Sequence, residues 1–257
     1  QNTGLHLRRG KLCCVPYKGD CEIYKRGFLT VRPNTRYFSY HDGTPFFYLG
    51  DTHWFLCHEK WDESNVEGID SQFCYTVNHR VSQGFTVYQS EPLGIPNIPQ
   101  IYDLTDGLDE NDILGFQKLD EKFAYIAECG LVHANSQLFF TDEISNPAYT
   151  PEYLRLLARF WVARYGSYPV LWTVAQEIDP HCYGTVYPER WYTVAEAIAE
   201  FDAYRHPLTA HGANNCLLTS ENSAWNDKPY HSWFGLQPQE YTLNNTSYLK
   251  GFYQIAK

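Results

Sequence analysis

From Gly27 onward the chain is written in short apolar runs broken by turn residues. Phe28, Leu29 and Val31 precede Pro33-Asn34, and Tyr37, Phe38 and Tyr40 follow it, a spacing that predicts a β-hairpin. Asp42-Gly43 marks another turn. The stretch TPFFYLGDTHWFL at 44–56 then predicts a buried strand over 45–51 that delivers a carboxylate, Asp51, into a group of aromatic rings. After it one unit repeats. A helical pattern at 64–83 ends at Gly84, where a C′ glycine belongs, and a short strand covers 85–89. A loop rich in Pro, Asn and Asp runs to about 117. A helix at 118–129 stops at Gly130, and a strand spans 131–140. Pro151 opens a helix to Tyr165. A strand at 170–175, a helix at 188–204, strands at 207–211 and 230–234 and a helix at 247–257 complete the pattern.

Strands alternating with helices predict a parallel sheet. Each strand is short and ends in polar residues: Asp51, Gln89, Gln137, Gln176-Glu177, His211 and His231. In a (β/α)8 TIM barrel the carboxyl ends of all strands face one mouth, where chemistry gathers. A doubly wound sheet would want a glycine-rich phosphate loop after its first strand, but Gly50 is followed by Asp51-Thr52-His53-Trp54. The expected fold class is therefore α/β, a (β/α)8 TIM barrel with an N-terminal β-hairpin. Residues 1–26 are read as an N-terminal extension and 27–257 as the barrel domain. The strand signals run out before eight, so the barrel is expected either to be incomplete at its C-terminal end or to place its last strands beyond Lys257.

Composition narrows the chemistry. Twenty Lys plus Arg against 30 Asp plus Glu give a net charge of -10, and no basic run is present. Neither nucleic acid nor an anionic membrane surface suits that balance. No stretch approaches the roughly 18 apolar residues of a membrane span. Aromatic residues reach 17%, with 21 Tyr and 7 Trp, while charged residues are only 19%. Many of these rings belong to a large core, but flat amphipathic faces also suit sugar rings in a cleft. The chain begins at Gln1 rather than Met, so a removed leader and a secreted or periplasmic location are expected. Eight Cys without a C-x-x-C leave disulfides open, especially among Cys13, Cys14 and Cys21.

The segment VLWTVAQEID at 170–179 carries most chemistry. A Glu just past a barrel strand points into the mouth, and a wall of Trp and Tyr would raise its pKa toward that of a general acid. Gln176 beside it can hold a substrate hydroxyl. The plainer reading has Glu177 capping the next helix or pairing with Arg190. Counting strands places Glu177 after the fourth; by family analogy alone, that is where many retaining glycosidases built on this barrel carry their acid/base.

The stretch DGTPFFYLGDTHWFL at 42–56 resembles the opening of the DUF4038 or apiosidase-like glycoside hydrolases, the group that contains family 140. QGFTVYQ at 83–89, LDEKFAYIAECGL at 119–131, LARFWVARYGSYPVLWTVAQE at 157–177, HPLTAH at 206–211 and the Trp225–Trp233 region follow in the same order. The resemblance implies a glycoside hydrolase without cofactor or metal, acting on an oligosaccharide or polysaccharide of plant type. It implies Glu177 as acid/base and Asp51 as a sugar-binding carboxylate. Trp54, Gln89, Gln137, Gln176, His211, His231 and Trp233 would form the rest of the mouth. It further implies a second catalytic carboxylate on a strand reading "KPV…GE", which is expected past Lys257. Asp142, Glu143 and Glu240 do not sit at convincing strand ends.

Rival chemistries find weaker footing. Ten His invite a metal, but neither H-x-H after the first strand nor H-E-x-x-H occurs. No G-x-S-x-G elbow is present, and nothing orients a His on Cys57 or Cys182. The rival that shares the aromatic cleft is a non-catalytic glycan-binding protein on a degenerate barrel.

Overall fold

The computed structural model describes residues 9–11, 13–92, 110–136, 147, 149–174, 188–212, 225 and 227–236. A short helix α1 (Glu22–Arg26) leads into an antiparallel hairpin, β1 (Leu29–Val31) and β2 (Phe38–Tyr40), with Leu29 opposite Tyr40. Asn34 takes the left-handed φ of 64° at its turn, a conformation that Asn tolerates better than most residues.

The sheet that follows is five-stranded and parallel throughout. Its strands are β3 (Gly50–Thr52), β4 (Val87–Ser90), β5 (Val132–Ser136), β6 (Val170–Thr173) and β7 (Leu208–Thr209), neighbours in chain order. Helices α2 (Gln72–Ser82), α3 (Glu110–Glu128), α4 (Pro151–Tyr165) and α5 (Pro188–Phe201) provide the crossovers. Beyond β7, strand β8 (His211–Gly212) pairs in parallel with β9 (Gly235–Leu236), and Leu208 bridges His231. Sequential parallel pairing with a helix per crossover is the arrangement of a (β/α)8 barrel, and the described residues form part of one.

The helices sit where their sequences put them. Thr150 caps α4 by accepting the Tyr153 amide at 3.2 Å, and Pro151 occupies its first turn. Leu154, Leu157, Ala158, Trp161, Val162 and Tyr165 recur at helical spacing and are all buried. Ser71 caps α2 through the Cys74 amide. This helix starts later than the pattern suggests, because 64–71 turns instead, with Gly68 at φ 80°. Conversely α3 starts earlier, at Glu110.

Strand alternation sorts the sheet into two faces. Val87, Val132, Ala134 and Leu171 cluster with Leu29 and Phe46 on the inner face, so the hairpin plugs the base. Tyr88 faces outward onto Phe73 and Val77 of α2. Val170, Trp172, Val174, Leu208 and Ala210 face α3, α4 and α5 in the largest core cluster. At the base, the Asp202 carboxylate accepts from Trp172 Nε1 (2.8 Å), from the amides of Tyr204 (3.0 Å) and His206 (2.8 Å) and from His206 Nδ1 (3.0 Å). The His206 ring packs against Phe28 of the hairpin segment, 4.7 Å between centroids.

One expectation needs correction. The run at 46–49 is not a buried strand. Phe46 is 8% exposed but Phe47 is 74% exposed, and pairing begins only at Gly50. The Phe46 amide is spent on Phe38 O at 2.8 Å, which draws this residue into the hairpin. Strand β3 is also an edge of the described sheet, so no described strand covers Phe47 from that side. The expected helix at 247–257 lies outside the described residues. The six described cysteines, Cys13, Cys14 and Cys21 among them, are free.

Candidate active site

The carboxyl ends of the strands bring together residues that are far apart in sequence. Trp54, just beyond β3, meets His211 of β8 edge-on with ring centroids 6.2 Å apart. Inner-face Thr52 is in register with Gln89, and its hydroxyl donates to Gln89 Oε1 at 3.5 Å. The Gln89 carbonyl accepts the His53 amide at 2.9 Å, and the Trp54 carbonyl accepts the Glu91 amide at 3.0 Å. Thus the end of β4 holds the loop that carries Trp54.

His211 is 8% exposed, and its Nδ1 has no hydrogen-bond partner among the described residues. Burial lowers its pKa to about 4, so the ring is neutral near pH 7 and can both donate and accept. His231 is likewise lowered to about 4 by burial, and its Nε2 lies 3.4 Å from Thr209 Oγ1. Thr173, at the end of β6, is buried, with its hydroxyl unpartnered among the described residues. Unpartnered buried polar atoms are rare in folded proteins. Two of them, His211 Nδ1 and the Thr173 hydroxyl, lie at the end of the sheet where a barrel binds its ligands.

Trp233 is one step removed from that group. Its ring packs against Phe38 (5.5 Å) and Tyr48 (6.5 Å), joining the hairpin to the inner core. Its carbonyl accepts the Thr209 hydroxyl at 2.5 Å.

Asp51 departs from expectation. It is in register with outward-facing Tyr88, not with inner-face Gln89. Its carboxylate accepts from Arg80 Nε of α2 at 2.5 Å, and Arg80 NH1 donates to Gln83 Oε1 at 2.7 Å. The pair lies on the helix side of the sheet, so Asp51 in this structure ties β3 to α2 instead of facing the barrel interior. Burial, with Asp51 nearby, pushes the Tyr88 phenol up to about 12. Gln137, Gln176 and Glu177 lie outside the described residues, as do Asp142, Glu143, Cys182 and Glu240.

The sequence reading also passed over residues that the structure puts near the mouth. Thr52 is the inner-face neighbour of Asp51, and pleat parity alone distinguishes them. Glu91 is 1% exposed, immediately past β4. Its position after a strand was the available signal. Among the described residues, no group of three His, Cys, Asp or Glu side chains is placed to hold a metal ion. Among them, too, no helix is long and apolar enough to cross a membrane.

A parallel sheet with a helix at each crossover and a polar mouth is the architecture of a (β/α)8 barrel, and solved structures agree on the fold. One described as a glycoside hydrolase superposes with a TM-score of 0.60 at 20% identity, covering 82% of this chain and 46% of its own. A glycoside hydrolase family 5 protein from Bacteroides vulgatus gives 0.63 at 22% identity, covering 81% and 44%. A family 5 mannosidase from Rhizomucor miehei gives 0.60 at 10% identity, covering 89% and 70%. The chain spans a little under half the length of the first two. No curated protein matches. The family model "Apiosidase-like, catalytic domain" matches residues 32–253, and the chain belongs to that family.

Proposed function

We propose that this chain carries the catalytic barrel of a glycoside hydrolase that cleaves a plant- or polysaccharide-derived glycan by a retaining mechanism. The observation that carries the reading is the catalytic-domain match over residues 32–253, which spans the strand ends of the mouth. The geometry supports it. An aromatic face at Trp54, a neutral imidazole at His211 and the amide of Gln89 are groups that receive a sugar's CH face and hydroxyls. Glu177 follows β6 by a few residues and is proposed as the acid/base, with Gln176 and Gln137 holding substrate hydroxyls. His231, through Thr209, supports the same wall. Asp51 is left out of the binding set because it is paired with Arg80.

Retention requires two carboxyl groups about 5–5.5 Å apart, against about 6.5–9.5 Å for inversion. The acid protonates the leaving oxygen, the nucleophile forms the glycosyl-enzyme, and the former acid then activates water. The test is turnover of aryl glycosides, an aryl β-apioside among them, and of plant polysaccharides by wild type and Glu177→Gln. Loss of proton transfer costs about 10²–10⁴-fold, with a smaller loss on aryl substrates whose leaving group needs little protonation. Azide should restore turnover to Glu177→Ala. Equal, modest losses on both substrate classes would reduce Glu177 to a binding residue. Binding without turnover in wild type would favour a glycan-binding protein on the same barrel.

A further inference from the structure

The loop that presents Trp54 is clamped from behind by a partly buried ammonium and a buried hydrogen-bonded chain. Lys122, on α3, donates its ammonium to Cys57 O at 2.6 Å and to Glu59 O at 2.7 Å. Those two carbonyls belong to the middle residue and the C-cap of the 3-10 turn Leu56–His58. Its charge also lies over the Phe73 ring, 5.4 Å from the centroid. The Glu59 carboxylate reaches back to His53 Nε2 at 3.2 Å, which closes the loop on itself. A second clamp runs through the sheet: Cys57 Sγ lies 3.5 Å from Ser90 Oγ, and Ser90 Oγ lies 2.6 Å from His133 Nε2. All three are almost fully buried. The residue after Ser90 in turn donates its amide to Trp54 O at 3.0 Å.

A His, a Ser and a Cys in one hydrogen-bonded chain suggest nucleophilic catalysis, but burial excludes it. The Cys57 thiol is pushed up to about 11, and none of the three has access to solvent. Their geometry serves support. A partly buried ammonium that holds two carbonyls is desolvated to do so, and a free loop would gain nothing from it. We infer that Lys122, backed by the Cys57–Ser90–His133 chain, is a positioning residue that fixes the Trp54 wall of the sugar site. The inference rests on the glycosidase reading for its functional consequence, though not for the clamp itself.

The experiment is a double-mutant cycle in the full chain, with an aryl β-apioside and the other aryl glycosides as probes. Lys122→Met keeps the stem and removes the three donors. It should raise KM about tenfold with kcat changed less than twofold. In a Trp54→Ala background the same substitution should move KM less than twofold, because its effect passes through Trp54. Equal increments in both backgrounds would overturn the inference and leave Lys122 a general stabiliser. Ser90→Ala repeats the cycle from the other clamp if Lys122→Met fails to fold. Hydrogen exchange separates this idea from the proposed function. The amides of Leu56, His58 and Glu59 are bonded within the loop, and Lys122→Met should speed their exchange above that of β4 and β5 whether or not any glycoside is cleaved. Unchanged exchange there would sink the clamp, and a wild type inert to every glycoside would sink only the enzymatic reading.

Discussion

His206 and His211 stand at the two ends of one strand segment, and their surroundings differ. His206, at the base, is held by Asp202 through both its amide and its ring, and the same carboxylate takes the Trp172 indole. His211, at the mouth, has the Trp54 ring beside it and, among the described residues, no partner on Nδ1. Both are buried. At the base the Asp202 carboxylate is spent on Trp172, Tyr204 and His206, and only His206 Nε2 is left over on that ring; at the mouth His211 Nδ1 and the Thr173 hydroxyl face the end where a barrel binds its ligand. In barrels of this kind the base is where residues contribute stability and the mouth is where they contribute chemistry.

The sharpest way to break that contrast is Asp202→Ala. It strands the Trp172 and His206 donors inside the protein, and chemical denaturation should show a loss of about 3–5 kcal/mol. Any protein that stays folded should keep its KM, since the substitution lies at the far end of the strands. A large KM change in folded Asp202→Ala would erase the distinction between the ends.

His211→Gln makes the opposite prediction. It should raise KM for a glycan substrate by roughly tenfold, about 1.4 kcal/mol, with a melting temperature close to wild type. A large fall in melting temperature with unchanged KM would make His211 a core residue like His206.

Acid should separate the two ends by pH. His211 and His231 titrate near 4 in the fold, and His133 near 3, against an ordinary value near 6.5. Below 6.5 the unfolded chain therefore binds protons that the folded chain refuses. Their contribution to stability is whole above 6.5 and is lost as pH falls toward 4, and toward 3 for His133. Burial works to raise the Asp202 carboxyl, but hydrogen bonds from His206 and Trp172 outweigh it and hold the group below the usual range. Its contribution is whole above that range and is lost only in stronger acid. Urea denaturation from pH 7 to 3 should show the histidine slope first, and His211→Gln should flatten it.

The smallest effect belongs to Asp51. Its bond with Arg80 joins two side chains that are 25% and 33% exposed, and such pairs contribute about 0–1 kcal/mol. Asp51→Asn should cost no more than that in denaturation and leave glycan KM unchanged. A tenfold rise in KM would return Asp51 to the mouth.

Much of the architecture was legible in the chain itself. The strand–helix order, the cap and first-turn proline of α4, the hairpin over Pro33-Asn34 and the polar residue closing each strand follow from spacing and turn chemistry, which are local properties. The faces were not legible. Asp51 and Thr52 are adjacent, and only the register with Tyr88 and Gln89 decides which of them enters the barrel. A strand's side chains alternate, so a single step of register exchanges the two faces. The approach of Trp54 to His211, the bonding of Asp202 to Trp172 and the reach of Lys122 into the Trp54 loop each join residues that the sequence keeps far apart. Local pattern therefore told what each segment becomes, whereas the packing of strands and helices against one another decided which residues meet.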